Sequence, residues 1–393
     1  MDKKNTGVKI ALGVLPVFLM TQCSFILNSA LAAVSAAFPE IPFTSITLLS
    51  TLVTLMSVPT GIIFGLLVGK KIHYRTITIL SAVLIIVAGC FPYFYLKNFY
   101  VLLISRVICG IGIGFSTPLG NAIVMSLFRD DPDKQAKMNG IGNTMMNLSG
   151  VILQLIAGWV CVFNVRYVFL VHALMIIPLV LCGLFLPEPE PIQEATASSD
   201  TPKAKINWKV WFVCLTWGFA FMSIYPYLLN ISAILAGEGL GNSASASYVA
   251  SGYAIGGMVS GVLFAMNLKI FKKFLVPCMY ALCGLCMIVG FFSSSVFIFI
   301  AVALILGIFI FSNWAGSFVE FNEIVAPEAM PMASGMFTAC LGGGGFLSTF
   351  FMMLVQNISG SADPRTPILY GGVLLLVIAA VWMVYKMAQK KQG

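Results

Sequence analysis

The sequence predicts an all-α membrane protein in which twelve transmembrane helices form two six-helix bundles related by a pseudo-two-fold axis. Three observations lead to this fold class. Of the 393 residues, 59% are hydrophobic and only 9% are charged. Long apolar stretches recur along the whole chain, and basic residues concentrate in alternate connections. Because soluble domains average about 25% charged residues, the composition excludes a soluble enzyme, a nucleic-acid-binding protein and a disordered protein.

Twelve apolar stretches have about 20 residues or more, the length that a helix needs to cross the hydrocarbon core of a bilayer. We number them span 1 to span 12 in chain order: 10–33, 45–68, 75–96, 99–127, 138–162, 166–187, 208–236, 246–268, 274–292, 295–319, 331–357 and 367–388. Spans 3 and 4 are separated only by Lys97 and Asn98, and spans 9 and 10 only by Ser293 and Ser294.

The basic residues predict the orientation of these spans. With the N-terminus inside, 18 of the 22 Lys and Arg residues lie on the cytoplasmic side, 3 lie in outer loops, and Arg106 lies within span 4. This bias follows the positive-inside rule. It predicts a multi-pass protein of the inner or plasma membrane with both termini in the cytoplasm. The net charge of +8 is then a consequence of topology and does not point to a nucleic-acid partner.

A polar, proline-rich stretch predicts the domain boundary. Residues 188–207 combine mixed charge with Pro189, Pro191 and Pro202, which is typical of a flexible linker. We therefore expect an N-terminal bundle over 1–187 and a C-terminal bundle over 208–393. A separation of 195 residues relates several positions of the two halves, which favours parallel repeats: Pro132 and Pro327, Gly140 and Gly335, Gly150 and Gly345, and Gly61 and Gly256.

Two motifs occur where the topology makes them meaningful. The loop after span 2 reads Gly65-Leu-Leu-Val-Gly69-Lys70-Lys71-Ile72-His73-Tyr74-Arg75, and span 4 contains Arg106 followed by Gly110, Gly112 and Gly114. With six plus six spans and a central linker, the chain resembles the major facilitator superfamily over nearly its whole length. The resemblance implies the major facilitator fold and a gating role for Gly65, Lys70, Lys71 and Arg75.

The chain also departs from the family pattern. Gly69 replaces the acidic residue of the loop motif and Ile72 replaces its second glycine. This puts in doubt the charge relay that the motif is thought to form in the family. The Gly-Pro motif of antiporters is absent from span 5, which argues against classical drug–proton exchange.

Arg106 is the foremost candidate for a functional residue. A charged side chain inside a span costs several kcal/mol unless it faces a polar cavity or a partner. Two interpretations fit equally well: a site for an anion or for proton coupling, or a structural arginine bonded to backbone carbonyls of span 1 or 2. His172 in span 6 has the chemistry of a proton relay, but a hydrogen-bonded structural histidine is the favoured interpretation.

Amides and aromatic residues in several spans are further candidates for substrate contacts. Asn143 and Asn147 share one face of span 5 because they are four residues apart. Such a polar stripe either lines a cavity or joins helices; cavity lining is favoured. The remaining candidates lie in spans 1, 7, 8 and 10: Gln22, Asn28, Tyr225, Tyr253, Asn313 and Trp314. Ordinary packing explains Trp314 equally well.

Two carboxylates at the cytoplasmic end of span 10, Glu320 and Glu323, are candidate gating residues. We expect them to pair with cytoplasmic Lys or Arg in an inner gate. The four glycines 342–345 in span 11 suit either a bending gate or close helix packing.

No constellation for enzyme chemistry is present. Gly65 to Lys71 only superficially resembles a phosphate loop, because three residues instead of four separate its glycines and no Ser or Thr follows the lysine. Zinc-protease and nucleophile-elbow motifs are absent. The ten cysteines mostly lie in apolar runs and are read as small buried residues. We therefore expect no catalytic residues, no metal and no cofactor.

The leading hypothesis is a secondary active transporter that moves a small organic compound across the cytoplasmic membrane by alternating access. Export or exchange is favoured. The alternatives are an uptake symporter or uniporter for a small organic anion, and a non-transporting membrane sensor or scaffold. The expected partners are a small-molecule substrate and the lipid bilayer, with protons as a candidate coupling ion, and the expected oligomeric state is a monomer.

Overall fold

The computed structural model describes residues 3–68, 71–128, 131–188, 207–325 and 330–389. Within these ranges the regular structure is helical, apart from one isolated bridge between Val68 and Ile72. The prediction of an all-α protein is confirmed.

Spans 1 to 6 contain helices of unequal length. Span 1 comprises Lys3–Leu19 and Leu31–Ala37, with 3₁₀ turns at Met20–Phe25 and Asn28–Ala30 between them. Span 2 comprises Phe43–Ile46 and Leu48–Leu67. Span 6 comprises Tyr167–Leu170, a 3₁₀ turn at Val171–Met175, and Ile176–Phe185. The other three spans are single helices: Tyr74–Phe94, Phe99–Leu127 and Pro132–Phe163.

Spans 7 to 12 are more regular. Their helices are Trp208–Gly237, Ser243–Phe271, Leu275–Phe291, Val296–Ile324, Met330–Ser359 and Thr366–Gln389. Asn207 and Asn242 cap the first two of these helices, because their side-chain oxygens accept backbone N–H groups of the first turn.

By length and hydropathy, eleven segments of the described chain can cross a membrane, and one of them, Ser243–Phe291, is 49 residues long. A continuous helix of that length would measure about 74 Å, more than twice the hydrocarbon thickness. It is instead two helices joined by the 3₁₀ turn Lys272–Phe274, where Lys272 has a φ of +50°. This turn separates spans 8 and 9, so the described residues form twelve spans.

Large apolar side chains cover the outside of these helices. Phe94, Phe163 and Phe297 are at least 74% exposed. Apolar surface on this scale is unfavourable in water and suits contact with lipid tails.

The chain divides into two compact units whose boundaries fall inside spans 1 and 2. The first unit contains residues 1–27 and 52–201, and the second contains 28–51 and 202–393. The segment 28–51, which is part of the predicted N-terminal bundle, packs within the second unit. The boundary in span 1 coincides with its 3₁₀ turns.

Glycines allow helices to approach closely within each unit. In the first unit, a Cβ at Gly110 would lie 3.0 Å from Val53 Cα, so spans 2 and 4 touch there. In the second unit, a Cβ at Gly344 would collide with the Gly218 carbonyl, and one at Gly256 with the Leu304 carbonyl. Gly343 has nothing within 4 Å of that position.

Candidate functional site

Arg106 is buried in the first unit, with 1% of its surface exposed. Its Nη2 donates to the carbonyls of Ala88 and Gly89 in span 3, both at 3.2 Å, and to Ser105 Oγ at 3.2 Å. Its Nη1 lies 3.3 Å from His172 Nε2, and the guanidinium stands over the Phe169 ring. The charge is therefore compensated by dipoles and an aromatic face.

The geometry also defines the role of His172. Its Nδ1 lies 3.0 Å from the Phe169 carbonyl, so Nδ1 carries the proton and donates it. Nε2 is then left to accept from Arg106, as in a neutral imidazole. A Cβ at Gly89 would collide with the His172 ring, so glycine at this position makes room for the histidine.

These contacts are those of the second interpretation, a buried arginine that binds backbone carbonyls, although its Nε has no partner among the described residues. A role of Arg106 in substrate binding or coupling stays a prediction. The carbonyls belong to span 3, and not to span 1 or 2 as predicted. Gly89 leaves the space in which the His172 ring packs beside Arg106. Gly89 belongs to no motif or repeat in the sequence, so this role was not predictable.

Gln22 and the amides of span 5 occupy the same unit. Gln22 is 8% exposed, and its Oε1 would lie 3.0 Å from a Cβ at Gly150. Asn143 and Asn147 are half-buried, and Asn147 Nδ2 donates to the Asn143 carbonyl at 3.1 Å. This bond stays within one helix and uses one of the two amide hydrogens of Asn147.

In the second unit, Asn28 lies beside the Tyr225 hydroxyl, and the Tyr225 ring stacks on Phe221 with 5.2 Å between ring centroids. Asn28 and Tyr225 are almost completely buried. Tyr253 in span 8 is 9% exposed and packs against Phe311.

The two candidates in span 10 have different surroundings. Asn313 is fully buried and donates from Nδ2 to the Val276 carbonyl at 3.1 Å, so it joins spans 9 and 10. Trp314 is 43% exposed and packs edge-on against Phe318.

The predicted gating residues of the first unit run from the end of span 2 to the start of span 3. Arg75 donates to the Gly183 carbonyl of span 6. The carboxylate of Glu188 accepts the backbone N–H groups of Tyr74 and Arg75 at 2.7 and 2.9 Å. Lys71 is exposed. Gly65 lies in the span 2 helix, but its surroundings, like Lys70, fall outside the described residues.

Glu320 forms a buried ion pair with Lys386 of span 12, with Nζ 2.5 Å from Oε2. Lys386 is 4% and Glu320 8% exposed. Lys386 is one of the basic residues counted on the cytoplasmic side, so its pairing with Glu320 agrees with the expected kind of partner. The pair joins spans 10 and 12 of one unit, and a role in an inner gate stays a prediction. Glu323 is exposed. Lys386 and Glu188 are the residues that sequence reasoning missed, because each lies more than 60 positions from its partner.

Metal binding finds no support in the described part of the chain, where no group of three or more His, Cys, Asp or Glu side chains could hold an ion. All ten cysteines are free thiols.

Comparisons with known proteins agree with this architecture. The profile of the Major Facilitator Superfamily matches residues 10–264. No curated protein matches the sequence. Among solved structures, a peptide transporter of the POT family, PepTSo, is similar with a TM-score of 0.78 and 10% identity, over 98% of this chain and 99% of that one.

A bacterial homologue of the human lysosomal transporter Spinster, in an inward-facing and occupied conformation, is similar with a TM-score of 0.73 and 17% identity, over 99% of this chain and 98% of that one. At these identities the likeness concerns the fold. The profile match covers well over half of the sequence, and the chain therefore belongs to the Major Facilitator Superfamily of membrane transporters.

Proposed function

We propose that this protein is a secondary active transporter of a small organic compound that works by alternating access, with export or exchange as the favoured direction. Membership of the family supports membrane transport in general. We infer the mechanism from the break in span 1 and the substrate class from the uncharged candidate residues.

The observation that carries the mechanism is the break in span 1. The chain passes from the first compact unit to the second between Leu27 and Asn28, and this part of the span consists of 3₁₀ turns in place of a continuous helix. Stretches of 3₁₀ structure within a helix often mark hinges, and interrupted helices line substrate sites in transporters. Gln22 and Asn28 lie on either side of this boundary.

We assign the substrate contacts to uncharged residues. Gln22, Asn143 and Asn147 would serve in the first unit, and Asn28, Tyr225 and Tyr253 in the second. Amides and aromatic rings together suit a molecule with an apolar body and a few hydrogen-bonding groups. Arg106 and Asn313 are bonded to backbone carbonyls, and we assign them to helix packing. The argument for an organic anion, which rested on Arg106, loses its support.

The proposed substrate contacts do not favour proton coupling, which the flux measurement with and without a proton gradient tests. None of these six contacts is acidic, and the buried carboxylate of Glu320 is paired with Lys386. Exchange of substrates therefore fits these residues better than proton symport.

Reconstitution of the full chain into liposomes tests the proposal. Flux of a panel of metabolites and lipophilic drugs is measured with and without a proton gradient. We expect saturable flux of at least one uncharged or zwitterionic compound, lost in Gln22→Ala and Asn147→Ala. Thr144→Ala is the matched control, because Thr144 is exposed on the same helix. No flux across the panel from folded protein would favour the sensor or scaffold.

We further propose that the protein is a monomer of the inner or plasma membrane with both termini in the cytoplasm. The 18 basic residues on one side support this orientation through the positive-inside rule. Reporter fusions at Gly393 and in the loop after Gly360 would test it, and activity of a cytoplasmic reporter in the loop would contradict it.

A further inference from the structure

We propose that the second unit carries a separate binding site for a small uncharged molecule with an apolar body and a hydrogen-bond donor. The site is a cavity of about 240 Å³ at the end of spans 7 and 11 where the loop 360–365 lies. This volume is somewhat below the roughly 300–1,000 Å³ of sites for drug-sized ligands, so it suits a molecule of about ten heavy atoms.

The wall of the cavity is largely apolar. Phe43, Ala233 and Pro364 are among the residues that line it. The polar lining side chains are Asn230, Gln356 and Ser35. No charged side chain of the described chain lines this cavity, so an ion that entered it would lose its hydration without a counter-charge. An uncharged ligand avoids that cost.

Asn230 provides the specific recognition group. It is 2% exposed, and its Nδ2 donates to the Pro364 carbonyl at 2.8 Å. This bond fixes the amide, and within the described residues Oδ1 accepts no hydrogen bond and is itself buried. A ligand therefore reaches Oδ1 only when the Asn230 side chain turns toward the cavity. A buried acceptor without a partner costs about 1–3 kcal/mol. A ligand that brings an N–H or O–H group would remove that cost.

The walls come from separate chain segments that are held together by polar contacts. Ala32 N donates to Ser232 Oγ at 3.2 Å, and the Thr349 hydroxyl lies 2.9 Å from that of Thr47. The loop 360–365 is held by an ion pair between Arg365 and Glu238. This pair neutralises Arg365, and neither Arg365 nor the adjacent Asp363 lines the cavity.

The site has a conformational consequence. Ala32, Ser35 and Phe43 belong to the segment 28–51, which continues at both ends into residues of the first unit. A ligand in the cavity contacts this segment together with spans 7 and 11, and so favours the arrangement in which they are packed. This conformational effect would regulate transport and so rests on the proposed function, whereas binding of the ligand does not.

Benzamide is a suitable probe, because it has an aromatic body and amide donors, and benzoate is its charged counterpart. Binding to the full chain in lipid nanodiscs is titrated by saturation-transfer NMR. We expect saturable benzamide binding and none of benzoate. Ala233→Trp, which fills the cavity, should weaken benzamide binding at least tenfold. Asn230→Leu should weaken it about threefold to tenfold through the lost hydrogen bond.

Ala236→Trp is the matched control, because Ala236 is exposed almost one helical turn further along span 7, and it should bind as the wild type does. Absence of saturable binding to folded protein, equal affinity in Ala233→Trp, or equally tight benzoate binding would overturn the site. Hydrogen exchange tests the consequence: benzamide should slow amide exchange in 31–37 of the wild type but not of Ala233→Trp. Unchanged exchange in the wild type would overturn it.

Discussion

The two units bury charge in different ways. In the first unit, Arg106 is surrounded by carbonyls and a neutral imidazole. In the second, Glu320 and Lys386 neutralise each other directly. Dipoles spread the compensation of a cation over several weak partners, so each contact contributes little. An ion pair concentrates it in one partner, and the loss of that partner leaves a buried charge.

The two units also differ in the contacts at corresponding helix crossings, spans 1 and 5 in the first unit and spans 7 and 11 in the second. Where spans 1 and 5 cross in the first unit, the Ser149 hydroxyl reaches the Leu19 carbonyl at 3.4 Å. The separation of 195 residues relates Ser149 to Gly344, where spans 7 and 11 approach backbone to backbone at Gly218. The crossing of spans 1 and 5 thus uses a side-chain hydrogen bond, whereas the corresponding crossing of spans 7 and 11 uses a contact between glycine backbones.

Removing one member of the ion pair should have the largest effect. Lys386→Met leaves Glu320 without its partner, and we expect the free energy of unfolding to fall by about 3–5 kcal/mol, measured by denaturant unfolding in detergent. Lys273→Met, at an exposed lysine, should change it by less than about 0.5 kcal/mol.

The double variant Lys386→Met/Glu320→Gln separates charge from packing. It has no unpaired charge, so most of the lost stability should return. A double variant as unstable as Lys386→Met would show that the packing of Lys386, and not its charge, stabilises the second unit.

Arg106→Gln should come next. It removes the contacts to two carbonyls and to His172, and we expect a loss of about 2–3 kcal/mol in the same measurement. Arg166→Gln, at an exposed arginine, is the control. A variant of wild-type stability that no longer transports would instead assign Arg106 to the substrate or to coupling.

The glycine crossing predicts a smaller effect. A Cβ at Gly344 would collide with the Gly218 backbone, so Gly344→Ala should lower the free energy of unfolding by about 1–3 kcal/mol. Gly343→Ala is the neighbouring control, since nothing lies near that position; it should be neutral or slightly stabilising because alanine favours the helix. Equal effects of the two variants would exclude close packing as the reason for the glycine.

An exposed ion pair should show the smallest effect. Asp131 caps the span 5 helix and pairs with Lys134 at 2.6 Å. The side-chain and backbone hydrogen bonds of Lys134 lower the pKa of Asp131. The ionised Asp131 carboxylate therefore stabilises the folded helix end fully above the unfolded pKa of about 3.9. This stabilisation is lost as the pH falls through the lower folded pKa.

The protection of the amides at 133–135, taken relative to their intrinsic exchange rates, should fall in the wild type as the pH is lowered from 6 to 3. Asp131→Asn keeps the capping oxygen but has no charge to lose, so its protection should not change with pH. A parallel pH response in both proteins would show that the carboxylate does not stabilise this helix end.

The span pattern was predictable because hydropathy acts locally. Even the short connection at Lys272 carried a signal, since Lys269, Lys272 and Lys273 mark the interruption of a 49-residue apolar segment. The irregular middle of span 1 was not predictable. Its residues are apolar enough for a continuous helix, and the 3₁₀ turns arise where the chain passes between compact units.

For the candidate residues, the residue itself was predictable from the sequence, but its partner was not. Polar residues in apolar spans could be recognised by their cost in a membrane, which is why Arg106, Asn313 and Glu320 were selected. Their partners could not be read, because Ala88 lies 18 positions, Val276 37 positions and Lys386 66 positions away. Helix packing, and not local sequence, brings them together.

For this protein, composition and charge placement were sufficient to predict an all-helical membrane fold of twelve spans, because lipid requires long apolar helices whatever their neighbours. Three features are determined only by the tertiary structure. Arg106 binds span 3 and His172, Glu320 pairs with Lys386, and the segment 28–51 packs with spans 7 and 11. Those contacts depend on which helix faces meet, and a one-dimensional pattern does not contain that information.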